Sequence, residues 1–474
     1  MSQDRYDLCV IGSGPAGQRA AVQAAKLGRR VAIVERREVV GGVAINTGTI
    51  PSKALREAVL RLTGARSKLG PEGGGGRSRH DITIEDLTYW CQQVIRHEIG
   101  VVRDQLDRND IDMLTGTAEF RDEHSIIFRH GNEQGVLEAD HFYIATGTKP
   151  ARPDDIDFDA THIVDADGLL NLHRLPRTMM VVGGGVIGTE YASMMQALGV
   201  KVTLIEGRDK LLDFLDPEIG ESLQYHLRQA GMTLRMGEHV VKVQVVDAPD
   251  GARSNDGRLV EAVLESGKVL RAETLLYAVG RQGCTADLGL GNVGLSADKR
   301  GRISVNADYQ SERDHIYAGG DVIGFPALAS TSMEQGRLAA CHMFGVHTNS
   351  TPELFPFGIY AIPEISMVGW TETKLTESDI PYESGVANYR EIARGQLLGD
   401  TIGMLKLLIH QDTRQILGVH CIGTGATEII HIGQAVMSLK GTVDYFVDTV
   451  FNYPTLAECY KVAALNAVNK LIHV

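Results

Sequence analysis

The residues with the clearest chemical meaning are two glycine clusters, each followed at the same distance by an acid. Gly12-Ser13-Gly14-Pro15-Ala16-Gly17 leads to Glu35, and Gly183-Gly184-Gly185-Val186-Ile187-Gly188 leads to Glu206, with 23 positions from first glycine to acid in both. Between a strand and a helix, this pattern binds a dinucleotide. Gly12 and Gly183 make a tight turn, Gly14 and Gly185 let the main chain approach a pyrophosphate, and Gly17 and Gly188 let helix lie on strand. The helix N-terminus offers unpaired N–H groups and partial positive charge to the phosphates. Glu35 and Glu206 accept hydrogen bonds from ribose hydroxyls, so two dinucleotides are implied, one for each cluster. Glu206 suits the free hydroxyls of NAD and repels the 2′-phosphate of NADP. Arg208 either grips that phosphate or is a solvated surface residue, with Gly207 giving local freedom between them. The combination fits a site open to both nucleotides.

The flanking sequence supplies the elements this chemistry needs. Asp7-Leu8-Cys9-Val10-Ile11 predicts a strand, Gln18 to Leu27 a helix and Val31-Ala32-Ile33-Val34 a second strand. Met180-Val181-Val182, a helix from Thr189 to Leu198 and Lys201 to Ile205 repeat the order. Tyr143-Ile144-Ala145-Thr146-Gly147-Thr148 and Tyr277-Ala278-Val279-Gly280-Arg281 each end a strand in a small-residue turn. A helix begins near Ser52, with Leu55, Val59 and Leu62 at helical spacing, and another is expected at about 330–344. The segment Leu69 to Asp81, with four consecutive glycines, has no periodicity and reads as a mobile surface loop; the polar stretch Asp247 to Gly257 reads as a hairpin tip.

Composition narrows the class. The 474 residues are 43% hydrophobic and 23% charged, ordinary for a globular enzyme of several domains. A net charge of −13 argues against nucleic-acid or anionic-membrane partners. No apolar run is long enough to span a bilayer, and Met1-Ser2-Gln3-Asp4-Arg5 lacks the order of a signal peptide. The six cysteines form no Cys-x-x-Cys pair and no zinc-ligand spacing, so no metal is expected; reduced thiols and a cytoplasmic location fit.

Three further segments carry a family resemblance: Gly41 to Lys53, Ile316-Tyr317-Ala318-Gly319-Gly320-Asp321, and Asn452-Tyr453-Pro454-Thr455-Leu456-Ala457-Glu458. With the glycine clusters, they make the chain resemble the class-I pyridine nucleotide-disulfide oxidoreductases over essentially its whole length. The resemblance implies an α/β fold with two Rossmann-like domains, for FAD and NAD(P), and an α+β C-terminal dimerisation domain. Residues 1–150 and 276–346 would form the FAD domain, 151–275 the NAD(P) domain and 347–474 the interface domain of a homodimer or higher homo-oligomer.

The same resemblance assigns roles. Gly12, Gly14, Gly17, Glu35, Thr49, Lys53, Thr146, Gly147 and Asp321 would hold FAD. Gly183, Gly185, Gly188, Glu206, Arg208 and Gly280 would hold the nicotinamide nucleotide. Lys53 would stand beside the flavin ring, supplying positive charge where the reduced flavin becomes negative, and Glu190 would pair with it. The family carries two redox cysteines at the positions of Ala44 and Thr49, and a histidine acid-base at that of Tyr453. Two sulfurs within bonding reach are needed for a disulfide, and a tyrosine is a poor base at neutral pH; packing or substrate shaping is the expected role of Tyr453. Thiols and base are missing together, and the pattern looks most like the soluble pyridine nucleotide transhydrogenases. That branch implies ping-pong hydride transfer from NADPH through FAD to NAD. The rival readings are a flavin-dependent NAD(P)H oxidase or quinone reductase, and a non-enzymatic redox-sensing flavoprotein.

Overall fold

The computed structural model describes residues 5–64, 82–251, 254–350 and 354–472. The stretch from Leu69 to Asp81, expected as a mobile loop, lies outside the described residues. The chain separates into two compact parts. Met1–Ala54, Thr88–Ala151 and Gly280–Pro352 make the first; Leu55–Leu87, Arg152–Val279 and Glu353–Val474 make the second.

In the first part, the strand Tyr6–Ile11 runs parallel to Val31–Glu35 on one side and to the end of Glu133–Ile144 on the other. Asp112–Thr115 and Ile316–Ala318 extend the sheet at its two ends. Alternation along the strand splits the core in two. Leu8 and Val10 face the helices, among Ala20, Ala24 and Ala339; Cys9 and Ile11 face an antiparallel layer carrying Phe120 and Ile126. With both faces covered, the strand reads as an unbroken apolar run. The helix Pro15–Lys26 begins three residues earlier than its expected start, because Pro15 takes the first helical position, where a missing N–H costs nothing. Its small residues let the helix Ala329–Met343 lie close: a carbon added to Gly336 would come within 2.1 Å of the Ala16 carbonyl oxygen.

In the second part, Lys201–Glu206 lies between Thr233–Met236 and Thr178–Val182, and Thr274–Tyr277 and Ile163–Val164 complete a five-stranded parallel sheet. An antiparallel layer of Val240–Asp247, Arg258–Leu264 and Val269–Ala272 supplies Val243, Val260 and Leu264 to the core under Met180 and Ile205. Asp247 pairs with Arg258, so the polar stretch expected as a hairpin tip does join two paired strands. The C-terminal segment forms a five-stranded antiparallel sheet with the helices Ala426–Ser438 and Glu458–Ile472 on it. Among the described residues, no helix is long and apolar enough to cross a membrane.

A buried charge ties this sheet to the nucleotide motif of the same part. Lys406 is 1% exposed, and its Nζ lies 2.9 Å from Asp216, 2.9 Å from Glu218 and 3.0 Å from Glu372. Asp216 caps the helix Pro217–Gln229 and also accepts from the Glu372 N–H at 3.2 Å. His420, opposite Lys406 in the neighbouring strand, is buried, with Nε2 2.8 Å from the Trp370 carbonyl oxygen. Burial works against the charge on Lys406, but the carboxylates around it raise its pKa above the usual lysine value. Burial likewise opposes ionisation of Asp216, yet the His420 and Lys406 contacts hold its carboxyl below the usual range. Burial keeps the His420 imidazole below its ordinary value.

Removing the ammonium leaves the buried Asp216 carboxylate without its countercharge. Lys406→Met should therefore lower stability by about 3–5 kcal/mol, read as a shifted urea midpoint at pH 7; an unchanged midpoint would show that the cluster contributes nothing. The acid limb follows from the same groups. A histidine depressed in the folded state gives its stability above the ordinary value near ~6.5, and that stability is lost as pH falls below it. Asp216 gives way only at lower pH, below the ordinary carboxylate value near ~3.9. The melting temperature should thus begin to fall below about pH 6.5, with a smaller slope in His420→Asn; equal slopes would remove His420 from the account.

Candidate functional site

Both glycine loops turn the same way. Gly12 and Gly183 have φ of 106° and 103°, and their N–H groups donate to Val34 and Ile205 carbonyls at 2.9 Å. A carbon added to Gly17 would meet the Gly12 oxygen at 2.0 Å, and one added to Gly188 would meet the Gly183 oxygen at 1.9 Å, so only glycine lets these helices lie on their turns. Gly14 and Gly185, by contrast, border open space: the nearest atom to an added carbon is 4.0 Å away for Gly14, and none lies within 4 Å for Gly185. Both are N-caps without a side-chain hydrogen bond, so each helix presents its first N–H groups to that space.

The two acids do more than wait for a ribose. Glu35 accepts from the Ser13 N–H at 2.9 Å, the Ser13 hydroxyl at 2.7 Å and the Arg37 N–H at 3.0 Å. Glu206 accepts from the Gly184 N–H at 2.6 Å and the Arg208 N–H at 2.9 Å. Each carboxylate therefore ties the end of its strand to the second residue of its glycine loop.

In the first part, the loop opens on a cavity of about 460 Å³, lined by Gly12, Gly14, Glu35, Thr146, Gly147 and Asp321 among others. That volume lies in the range of ~300–1,000 Å³ usual for cofactor sites. Three observations fit a flavin dinucleotide. The wall carries the cationic residues Arg36, Arg37 and Lys149, suited to an anionic ligand. The Thr146 hydroxyl is buried at the wall with no hydrogen-bond partner. The N-terminal turn of Ala329–Met343 reaches the wall through Ala329 and Ser332, bringing uncapped N–H groups and the positive end of a helix dipole. Asp321 is oriented by the Thr148 hydroxyl at 3.1 Å, and Arg281 in turn donates to that hydroxyl at 2.7 Å.

Val43, Ala44 and Thr49 also face this cavity. The wall at the two positions where the resembled family places sulfur is thus a methyl and a hydroxyl. Cys284 is on the wall too, near Arg36. Lys53 stands one turn beyond Thr49 on the helix Thr49–Leu62 and is half-buried; of the two, Thr49 lines the cavity. Glu190 is buried on the helix Val186–Ala197 of the second part, where its Oε1 accepts from the Tyr360 N–H at 2.8 Å and Ser193 accepts from Ile362 at 3.0 Å. Tyr453 is 72% exposed, and Glu458 of the same segment has a buried oxygen without a hydrogen-bond partner.

Gly280 lies at φ 83°, its carbonyl accepting from the Ala151 N–H at 3.2 Å. Arg208 is not a loose surface side chain. Its Nε lies 2.9 Å from Glu206 and its Nη1 2.7 Å from Asp213. Burial would raise the Glu206 carboxyl, but the Arg208 guanidinium and the N–H groups of Arg208 and Gly184 hold it below the usual range. Gly207 departs from the sequence reading: an imidazole occupies the space its side chain would take, that of His239. His239 and Gln335, which accepts from the Gly320 N–H at 2.8 Å, escaped the sequence reading because their positions come from chain crossings, and Asp213, five residues beyond Arg208, because no motif marks it.

The family model described as pyridine nucleotide-disulphide oxidoreductase matches residues 6–336, and its dimerisation domain matches 355–464. The chain is 54% identical over 468 residues to the soluble pyridine nucleotide transhydrogenase of Mycobacterium tuberculosis, covering 98% of each. It is 46% identical over 473 residues to the protein of that name from Colwellia psychrerythraea, again covering 98% of each. Among solved structures, the HOCl-induced flavoprotein disulfide reductase RclA of Escherichia coli is similar with a TM-score of 0.85 and 28% identity, over 97% of this chain and 99% of that one. LpdA of Mycobacterium tuberculosis shares the fold with a TM-score of 0.87 at 24% identity, over 97% and 99%. The chain belongs to the pyridine nucleotide-disulphide oxidoreductase family, in the group of the soluble pyridine nucleotide transhydrogenases.

Proposed function

We propose that this protein moves hydride from NADPH to NAD+, giving NADP+ and NADH, with FAD as its resident cofactor and no disulfide in the path. The observation that carries the reading is the sulfur-free wall at Ala44 and Thr49 beside an otherwise complete dinucleotide cavity. FAD, when bound, takes a hydride from a reduced nicotinamide and gives one to an oxidised nicotinamide.

The chain's part is to bind, orient and balance charge. Gly12 and Gly17 shape the turn that lets Gly14 and the helix end bring free main-chain N–H groups to the FAD pyrophosphate, Glu35 takes the ribose hydroxyls, and Thr49, Thr146, Gly147 and Asp321 line the rest. Lys53 supplies a positive charge toward the flavin, with Glu190 as the acid the family pattern sets against it. Gly183, Gly185, Gly188 and Gly280 hold the nicotinamide nucleotide, with Glu206 and Arg208 at its adenosine ribose. One nucleotide site then serves donor and acceptor in turn, which makes the kinetics ping-pong. The match of 355–464 to a dimerisation domain supports a homodimer. On this reading, residues 1–150 with 276–346 form the FAD domain, 151–275 the NAD(P) domain and 347–474 the interface domain. Six free cysteines fit a place in the reducing cytoplasm.

The purified yellow protein, mixed without oxygen with NADPH and thio-NAD+, should form thio-NADH, with parallel double-reciprocal plots when one substrate is varied at several fixed levels of the other. Rapid quinone reduction with no thio-NADH would favour a quinone reductase instead. In Lys53→Met, flavin bleaching by NADPH should slow by roughly 100-fold, the scale of losing one preorganised charge at a reacting centre; unchanged half-reaction rates would remove Lys53 from the mechanism.

A further inference from the structure

The space beside Gly207 is filled by the ring of His239. A carbon added to Gly207 would lie 2.2 Å from Cε1, 2.7 Å from Nδ1 and 3.0 Å from Nε2 of that ring. Glycine is needed there to seat an imidazole, between Glu206 and Arg208. The seat is held by the main chain: Glu206 pairs with Met236 across the sheet, the Glu238 N–H donates to the Glu206 carbonyl at 3.1 Å, and the Gly237 N–H donates to the Arg208 carbonyl at 3.0 Å. His239 itself is exposed.

The charges around the ring decide what it can do. From the segment after Lys201–Glu206 come Glu206, Arg208, Asp213 and Asp209, whose carboxylate is 3.1 Å from where a Gly237 side chain would begin. From its own turn comes Glu238, neutralised by Lys268 at 2.6 Å, and the Glu265 N–H donates to the His239 carbonyl at 2.8 Å. Arg208 is already shared between Glu206 and Asp213. An adenosine ribose with free hydroxyls asks only for the Glu206 acceptor. A 2′-phosphate brings nearly two negative charges to a segment that already holds the carboxylates of Glu206, Asp209 and Asp213 and the single guanidinium of Arg208. It needs a second cation, and the imidazole on Gly207 is the titratable donor at hand.

We propose that His239, seated on Gly207, is the second cation of a 2′-phosphate subsite. NADP(H) binds with the imidazole protonated and draws Arg208 from Glu206, whereas NAD(H) binds with the imidazole neutral. This rests on reading the second glycine motif as the nicotinamide nucleotide site. The balance between the two nucleotides then shifts toward NADP(H) as pH falls and the ring takes up its proton.

The test titrates the FAD-loaded enzyme with 2′,5′-ADP and with 5′-AMP by calorimetry from pH 5.5 to 8.5, in wild type, His239→Gln and His239→Lys. Because the 2′-phosphate itself titrates near ~6, the readout is the difference between wild type and His239→Gln. Wild type should bind 2′,5′-ADP about tenfold more tightly at pH 6, the scale of one charge-assisted hydrogen bond, and equally at pH 8.5. His239→Lys should keep the tight binding at pH 8.5, and 5′-AMP affinity should be the same in all three. Equal 2′,5′-ADP affinity of wild type and His239→Gln at pH 6, or a parallel loss for 5′-AMP, would overturn the role of His239 alone. Failure of both fragments to bind would overturn the nucleotide-site reading itself.

Discussion

The architecture of both nucleotide motifs turns on one interaction, a carboxylate at the end of a strand accepting from the second residue of a glycine loop. Glu35 does this to Ser13 and Glu206 to Gly184. The loop residues run against their helical preference, with Gly12 and Gly183 in the left-handed region, and a short anchored bond holds them there. With the loop fixed, the glycine that follows can leave empty space above a helix end, and that empty space is the binding feature. A buried carboxylate is stable only when hydrogen-bonded, so the acid and the loop hold each other in place before any ribose arrives.

The sequence makes these motifs legible because their constraints are local. Turn, helix start and strand end lie within 23 residues, and each demands a particular residue type. The strands Tyr6–Ile11 and Val31–Glu35 follow from the same spacing rules, while the helix after Asp321 is implied by the family resemblance of the Ile316–Asp321 motif. What the sequence does not disclose comes from pairings between distant segments. Gly207 looks like a flexible joint until the strand Thr233–Met236 is laid beside it and His239 arrives with the turn that follows. Arg208 looks like an exposed base until Asp213 folds back to share it. Lys406 lies in an apolar strand with nothing nearby in sequence to mark the acids of two other segments that surround it.

That lysine also shows how the second part keeps its shape. The start of Pro217–Gln229, a helix attached to the nucleotide sheet, is capped by Asp216, and Asp216 is held by an ammonium from the C-terminal sheet. Such a cluster is a poor source of net stability, since desolvation offsets most of the attraction, but it is selective about geometry. It holds Asp216, three residues beyond Asp213, against the C-terminal sheet.

The methyl of Ala44 and the hydroxyl of Thr49 on the cavity wall carry a last consequence, for the conditions the protein survives. Thiolates are the groups that peroxides, hypochlorous acid, alkylating agents and soft metal ions attack first. Here the wall offers none at those positions, and five of the six cysteines are buried, with burial pushing the thiols of Cys91 and Cys459 up to about 11 and 12. The half-buried thiol of Cys284, on the same cavity wall, is then the sulfur that such reagents would reach first.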